Sequence, residues 1–176
     1  MKKNCVYQKK TVPLHEILTI TMNNTEIERK FLVVSDAFMA QATTSYEIMQ
    51  GYLCKEPGKT IRVRIRDERA FLTIKSGKLR EGLAKFEWEK EIEPADAFEL
   101  MKLCLPGVIS KTRYIIPAES YEGEARCWEV DVFHSGAMSG KTLAEIELGS
   151  EFEPFRRPEW LGEEVTGQPQ YYNANM

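Results

Sequence analysis

Histidine is nearly absent from this chain of 176 residues, which contains only His15 and His134. The two lie far apart in the sequence, which disfavours a histidine-based metal site and a Ser/His/Asp triad. The four cysteines are also widely spaced and include no CxxC pair. This spacing indicates neither a zinc site nor the disulfide framework of a small secreted protein. We interpret the cysteines as reduced thiols of a cytoplasmic protein.

The sequence also lacks a long apolar stretch and a dominant charge. It has no run of about 18 apolar residues that would span a membrane, and its N-terminus lacks the pattern of a signal peptide. Charged residues make up 29% of the chain, yet the formal net charge is only −3. We therefore expect no membrane or nucleic-acid partner. The 43% hydrophobic content allows a single domain with its own core, as a monomer or a homodimer.

The first 22 residues show no regular period, and a second methionine, Met22, stands just before the first patterned segment. We interpret residues 1–22 as an N-terminal extension that is not native, with Met22 as the hypothesised natural start. Residues 23–176 are then expected to form one domain.

From residue 26 onward, apolar and polar residues alternate with the period of β-strands. Eight short segments follow this pattern: 26–33, 48–54, 60–67, 70–77, 86–93, 110–117, 127–133 and 144–148. Few helices are expected. One would follow Ser35, one would begin at Pro94 and a third would follow Gly149. The chain is therefore predicted to be mainly β, in the α+β class, with a barrel or a sandwich as its architecture.

Most of the predicted strands carry charges of one sign on one face. Two such rows are Arg62, Arg64 and Arg66, and Glu87, Glu89 and Glu91. Same-face neighbours lie about 7 Å apart, and like charges at that distance repel by roughly 2 kcal/mol. A solvated sheet face explains any single strand, but such faces usually mix the two signs. We infer that a bound cation offsets the acids and a bound anion offsets the bases.

These charge rows favour enclosure in a closed eight-stranded antiparallel β-barrel with a charged interior and a few peripheral helices. The interior of such a barrel is just wide enough for one small ligand. Carboxylates are suitable ligands for Mg²⁺ or Mn²⁺, and arginine and lysine bind phosphate oxygens. The pattern therefore predicts a metal-chelated polyphosphate, which an aligned water would hydrolyse.

An ordered series of motifs resembles the CYTH family, the triphosphate tunnel metalloenzymes. The series opens with EIERKFLV, in which Glu26, Glu28 and Lys30 form ExExK. It continues through QGYL, RVRIR, LTIKS, FEWEKEI, KTRY, EVDVF, AEIEL and WLGEEVT, and it spans residues 25 to about 172. The resemblance implies an eight-stranded tunnel that hydrolyses or cyclises triphosphates with Mg²⁺ or Mn²⁺. Residues 167–170 depart from it, because bacterial members tend to have a basic residue there.

The resemblance also implies roles for individual residues. The implied metal ligands are Glu26, Glu28, Glu129, Asp131, Glu145 and Glu147, and Glu87 and Glu89 are additional candidates. The implied triphosphate ligands are Lys30, Arg62, Arg64, Lys75, Lys85, Lys111 and Arg113. Lys30 and Tyr52 are implied to be catalytic, Lys30 by orienting or activating water and Tyr52 as a proton acceptor. A buried aromatic with a satisfied hydroxyl is the other interpretation of Tyr52.

The predicted function is hydrolysis of inorganic tripolyphosphate, or of a related small-molecule triphosphate, because the layout is compact and no base-recognition element is evident. Two enzymatic alternatives remain, a class IV adenylate cyclase and a thiamine triphosphatase. A polyphosphate-binding module without turnover is the non-enzymatic alternative.

Overall fold

The structure is a computed structural model that describes residues 27–76, 86–119 and 125–175. Within these ranges lie nine strands: β1 (Ile27–Val33), β2 (Thr44–Glu56), β3 (Lys59–Arg66), β4 (Arg69–Ser76), β5 (Phe86–Ile92), β6 (Ile109–Pro117), β7 (Cys127–Phe133), β8 (Thr142–Leu148) and β9 (Leu161–Glu164). Helix α1 spans Pro94–Met101, and 3-10 helices span Asp36–Gln41, Pro169–Tyr171 and Asn173–Asn175. The proposed start at Met22 and the candidates Glu26 and Lys85 lie outside the described residues.

The strands form one antiparallel sheet in the order β5-β4-β3-β2-β6-β7-β8-β1-β9. This confirms the prediction of a mainly β protein with few helices. In the described part of the chain the sheet keeps two edges, β5 and β9, so the predicted closed barrel is not confirmed. The edge strand β9 is a ninth strand that sequence alternation does not reveal, because its four residues, LGEE, have no alternating pattern.

The sheet curves, because charges on β1 and β4, which lie far apart in its order, influence each other. Five strands separate β1 from β4, which in a flat sheet would place them about 29 Å apart. Burial raises the pKa of Glu28 on β1, and the positive charge of Lys75 on β4 opposes that rise. Such an influence requires the two groups to lie much closer than a flat sheet allows. One face of the sheet is therefore concave.

The convex face carries most of the apolar core. Phe31 and Trp160 pack edge-on against Trp128, with ring centroids 5.7 Å apart in both pairs, and all three are almost fully buried. At the other end of the sheet, α1 buries Ala97 against Val63 and neighbouring apolar residues. Aromatic and helical cover on the outside leaves the charged side chains on the inside, as the sequence alternation predicts.

Two of the three expected helices are present. Helix α1 begins at Pro94 as expected, and the segment after Ser35 forms a 3-10 helix. The prediction of a third helix after Gly149 is wrong, because residues 151–158 contain no helix. The carboxylate of Glu153 instead accepts hydrogen bonds from Arg126 and from the backbone N–H of Gly149. Among the described residues, no helix is long and apolar enough to cross a membrane.

Candidate active site

Strand register brings the predicted site residues of the described part together on the concave face. The residues on this face include Glu28 and Lys30 of β1, Gln50 and Tyr52 of β2, Arg62 and Arg64 of β3, Thr73 and Lys75 of β4, Glu87 and Glu89 of β5, Lys111 and Arg113 of β6, Glu129 and Asp131 of β7, and Glu145 and Glu147 of β8. Directly paired residues of antiparallel strands share a face, so these side chains line one surface.

Lys30 lies at the acidic side of this surface and is 4% exposed. Its Nζ lies 2.5 Å from Glu145 Oε1 and 3.1 Å from Glu28 Oε1, and it donates a hydrogen bond to the backbone carbonyl of Tyr171. Burial by itself would lower the pKa of Lys30, but the two carboxylates outweigh it and raise the pKa above its usual value. Lys30 therefore carries its proton at neutral pH.

Four glutamates from β1, β7 and β8 lie next to one another. Glu28 pairs across strands with Glu147, and Glu129 pairs with Glu145. Burial, followed by the charge of Glu145, raises the pKa of Glu28. Glu147 forms no ion pair with the residues that the structure describes. Adjacent carboxylates of this kind repel one another, and a cation would relieve the repulsion.

Asp131 of β7 belongs to a buried ion-pair cluster on the concave face. It is 2% exposed, and its carboxylate lies 2.5 Å from Lys111 Nζ and 2.6 Å from Arg113 Nε. Arg113 donates a second hydrogen bond to Asp131 and a third to Glu129. Burial alone would raise the pKa of Asp131, but the two cations hold it well below its usual range. Because both oxygens of Asp131 already bind cations, its carboxylate fits a bracing role better than that of an open metal ligand.

Lys111 shares that carboxylate with Arg113 and is 1% exposed. Burial lowers the pKa of Lys111 to about 8, and the neighbouring charge of Arg113 contributes to the shift. The attraction of Asp131 offsets part of it. Lys111 is therefore the cation of this cluster that loses its proton most readily.

Arg64 differs from the other arginines and lysines of the concave face in the contacts of its side chain. Its guanidinium forms no ion pair and donates no hydrogen bond to any residue in the described ranges, and its buried Nε has no partner. Burial lowers the pKa of Arg64 to about 10, and the charges of Arg62 and Arg113 contribute. The guanidinium still carries its charge at neutral pH. A partly buried arginine without a carboxylate partner is poorly compensated unless an anion binds to it.

Arg62 and Lys75 lie at the β4–β5 side of the surface. Arg62 donates a hydrogen bond of 3.2 Å to Thr73 Oγ1, and Lys75 Nζ lies 2.8 Å from Glu87. Thr73 in turn donates to Glu89 at 2.7 Å. Glu87 and Glu89 therefore face the bases of β3 and β4 rather than the glutamates of β1 and β8. This placement favours them as partners of cations over the role of additional metal ligands.

Tyr52 is 5% exposed and pairs across strands with Arg62. Burial raises the pKa of Tyr52, and the charges of Arg62 and Arg64 only partly oppose that rise. The hydroxyl is therefore protonated at neutral pH. This disfavours the expected role of Tyr52 as a proton acceptor, whereas a role as a hydrogen-bond donor fits.

Sequence reasoning missed Gln50 as a functional candidate. It is 1% exposed, and neither its amide nitrogen nor its amide oxygen has a hydrogen-bond partner among the described residues. The available signal was a polar residue in the QGYL segment, two positions before Tyr52 and on the same face of the strand. The alternation of charges does not draw attention to it because the amide is neutral.

The donor set on β1, β7 and β8 fits a hard divalent cation. Carboxylate oxygens are the ligands that Mg²⁺ and Mn²⁺ prefer. Burial and the charge of Glu145 already disfavour the ionised form of Glu28 by raising its pKa. Within the described residues, no three acidic, histidine or cysteine side chains are already arranged as metal ligands. Lys30 and Arg113 instead bind to carboxylates of this set.

The CYTH domain profile matches residues 24–175. An inorganic triphosphatase of Acetivibrio thermocellus is 39% identical over 152 residues, which are 86% of this chain and 92% of that protein. An inorganic triphosphatase of Nitrosomonas europaea is 36% identical over 157 residues, 86% of this chain and 96% of that protein.

Solved structures give the same result for the fold. The crystal structure of an inorganic triphosphatase is similar with a TM-score of 0.58 and 31% identity, over 86% of this chain and 93% of that one. A putative adenylyl cyclase of Hippeastrum, described as having a dominant triphosphatase activity, is similar with a TM-score of 0.53 over 71% of this chain and 80% of that one. Its 19% identity shows a shared fold alone.

Proposed function

This chain belongs to the CYTH family, and from that premise we propose that it is a metal-dependent triphosphatase that hydrolyses inorganic tripolyphosphate to diphosphate and phosphate. Two relatives named inorganic triphosphatase, at 39% and 36% identity, support this substrate. The similarity covers 86% of the chain in both cases, and the CYTH match over residues 24–175 includes all the described strands.

The observation that carries the proposal is the unpaired Arg64 on the concave face. Its guanidinium faces the same surface as Arg62 and Lys75, while the acids of β1 and β8 lie across the curve of the sheet. Such a division suits a ligand that is itself a polyanion with a bound cation. A tripolyphosphate with its chelated metal has this chemistry.

For the metal, we propose that Glu28, Glu145 and Glu147 hold Mg²⁺ or Mn²⁺, together with Glu26 from outside the described residues. Glu129 lies next to Glu145 and is a further ligand candidate. Asp131 braces Arg113 and Lys111 instead. A divalent cation bound there supplies neutralisation of the charge on the phosphate oxygens.

The positive side chains of the face hold and orient the triphosphate. Arg62 and Arg64 bind its oxygens by bidentate hydrogen bonds, and the lysines act as point charges. The proposed triphosphate ligands are Lys30, Arg62, Arg64, Lys75, Lys85, Lys111 and Arg113. Phosphoryl transfer depends mainly on such positioning and charge neutralisation, since its transition state is loose.

Protonated Lys30 and Tyr52 fit this mechanism as donors. Both carry their protons at neutral pH, so each is able to donate a hydrogen bond to a phosphate oxygen or to orient a water.

We further propose that the curved sheet surrounds the bound triphosphate as a tunnel. The three described cysteines are free thiols, which supports a reducing compartment such as the cytoplasm.

Phosphate release tests the proposed function. The protein is incubated with tripolyphosphate and Mg²⁺ or Mn²⁺, and phosphate and diphosphate are quantified by ion chromatography. We expect equal amounts of the two products, and no release when a chelator removes the metal. Absence of products under both metals would refute the proposal.

A further inference from the structure

Gln50 is a buried amide for which the fold supplies no partner. Both of its polar atoms are buried without a hydrogen bond to any residue in the described ranges. Buried amides in native proteins are nearly always bonded, because leaving them without a partner costs free energy. A group in this state at a ligand-binding face indicates that something other than the protein satisfies it.

The position of Gln50 places it on the anion-binding side. It is directly opposite Arg64 in the pairing of β2 with β3, and Tyr52 follows two residues later on the same face. Opposite residues have Cβ atoms about 5 Å apart. Gln50 and the unpaired Arg64 are therefore neighbours, and the Nε atom of Arg64 also has no partner in the described part of the chain.

The two ends of the amide require different partners. The nitrogen is a donor and suits a phosphate oxygen, which only accepts hydrogen bonds when it is ionised. The oxygen is an acceptor, and neither a phosphate oxygen nor another carbonyl satisfies it. The guanidinium of Arg64 does not hydrogen-bond to it. A water molecule that also contacts the phosphate is able to do so.

We propose that Gln50 positions the attacking water against the terminal phosphoryl group of the substrate. Its oxygen accepts a hydrogen bond from that water, which leaves a water lone pair directed at phosphorus, and its nitrogen donates to an oxygen of the same phosphoryl group. This inference rests on the proposed hydrolysis of tripolyphosphate and deepens it.

The step balances without a further reactant. The water oxygen forms a bond to the terminal phosphorus as the bond from that phosphorus to its bridging oxygen breaks. The bonding electron pair leaves with the diphosphate. One water proton stays on the new phosphate, and the other passes to an oxygen of the leaving diphosphate or to solvent. A neutral amide accepts no proton in this scheme, so its contribution is alignment of the water.

The test uses Gln50→Met, which keeps the length of the side chain and removes both polar atoms. We expect kcat for tripolyphosphate to fall about 100-fold, as for the loss of one aligned transition-state contact. The KM and the Kd of the non-hydrolysable imidotriphosphate, measured with metal by calorimetry, should rise as well, because the variant also loses the hydrogen bond from the amide nitrogen to the phosphoryl oxygen. The melting temperature should not fall, since the substitution removes an unsatisfied buried amide.

Gln41→Met is the matched control. Gln41 lies in the 3-10 helix Asp36–Gln41, is exposed and accepts a hydrogen bond from Trp160, away from the concave face. We expect its kcat to equal that of the wild type. Gln50→Glu serves as a second variant, because it keeps the acceptor and shape but adds a negative charge. It should raise KM as well as lower kcat.

A Gln50→Met enzyme with kcat within about threefold of the wild type would overturn the inference. So would an unchanged kcat with a raised KM and Kd, which would make Gln50 a substrate contact alone. Both results presuppose an active wild type. An inactive wild type instead contradicts the proposed function, and the two failures are therefore distinguishable.

Discussion

Glu28 of β1 lies directly across from Glu147 of β8, so two carboxylates occupy cross-strand positions on the concave face. Like charges at such positions are destabilising. Burial and the charge of Glu145 raise the pKa of Glu28 further, and Lys30 compensates only in part. A cation bound between the two side chains would relieve this repulsion.

Replacing Glu28 with Gln tests the metal role of this carboxylate. We expect hydrolysis to fall about 100-fold or more, because charge neutralisation at the phosphate oxygens depends on the metal. The fold should survive, since the substitution also removes the repulsion of Glu28 by neighbouring carboxylates. Phosphate release and circular dichroism measure the two effects.

The matched control is Glu99→Gln on the exposed surface of α1, where Glu99 forms an ion pair with Lys102. Its activity should be unchanged. In the wild type, Mn²⁺ should raise the melting temperature by mass action, and Glu28→Gln should lose most of that increase. Hydrolysis by Glu28→Gln at the wild-type rate would count against the metal role.

Replacing Arg64 with Gln should weaken tripolyphosphate binding. A hydrogen bond to a charged group contributes about 1.5–3 kcal/mol, so KM should rise about 10-fold to 100-fold. The free energy of unfolding should not decrease, because Arg64 has no ion pair to lose within the described residues. Steady-state kinetics and urea unfolding check the two expectations.

Arg69→Gln is the control for Arg64, since Arg69 is exposed and forms an ion pair with Glu91. It should leave KM unchanged. A normal KM for Arg64→Gln would remove the main support for the anion site.

Replacing Asp131 with Asn should destabilise the protein by about 3–5 kcal/mol, because it removes the carboxylate that pairs with buried Lys111 and leaves Arg113 with Glu129 and Glu145 alone among the described carboxylates. Urea unfolding at pH 7 measures this change. The exposed pair of Lys102 and Glu99 offers the comparison, and Lys102→Met there should have little effect. A similar effect of both variants would show that the buried cluster does not brace the sheet.

The pKa of Lys111, lowered by burial to about 8 from 10.5, makes stability depend on alkaline pH. Between these two values the unfolded state binds more protons than the folded state, so the contribution of Lys111 to stability rises with pH. We expect the difference in unfolding free energy between wild type and Lys111→Met to increase from pH 8 to pH 10. A difference that stays constant would contradict the shifted pKa.

Tyr52→Phe separates a donor from a proton acceptor. Because burial raises the pKa of Tyr52, its ionisation should not shape the pH dependence of kcat/KM between pH 6 and 9. We expect the variant to lose activity while its pH profile stays parallel to that of the wild type. Loss in Tyr52→Phe of a limb on which wild-type kcat/KM rises with pH would instead restore Tyr52 as the acceptor.

Much of this site follows from the sequence, because alternation fixes which side chains share a face once the strands are assigned. The faces of Arg62, Arg64 and Glu145 were predictable on that basis. Alternation does not show whether the sheet closes into a barrel. Closure requires the two edge strands to hydrogen-bond to each other, and that depends on how far the sheet curves. Strand β9 was not predicted, because its residues, LGEE, do not alternate between apolar and polar side chains.

The roles within the face were harder to predict than the face itself. Asp131 resembles a metal ligand by motif, yet its binding to Arg113 and Lys111 depends on a register that only the folded sheet shows. Gln50 shows the reverse case. Its neutral side chain carries no charge signal, and only the lack of partners around it marks it as functional.

The most direct test of the central claim is the ratio of kcat/KM values for inorganic tripolyphosphate, ATP and thiamine triphosphate, each measured with Mg²⁺ and with Mn²⁺. We predict that tripolyphosphate has the highest value under the better metal, and that ATP gives no cyclic AMP. A clear preference for ATP or thiamine triphosphate, or the formation of cyclic AMP, would contradict the account.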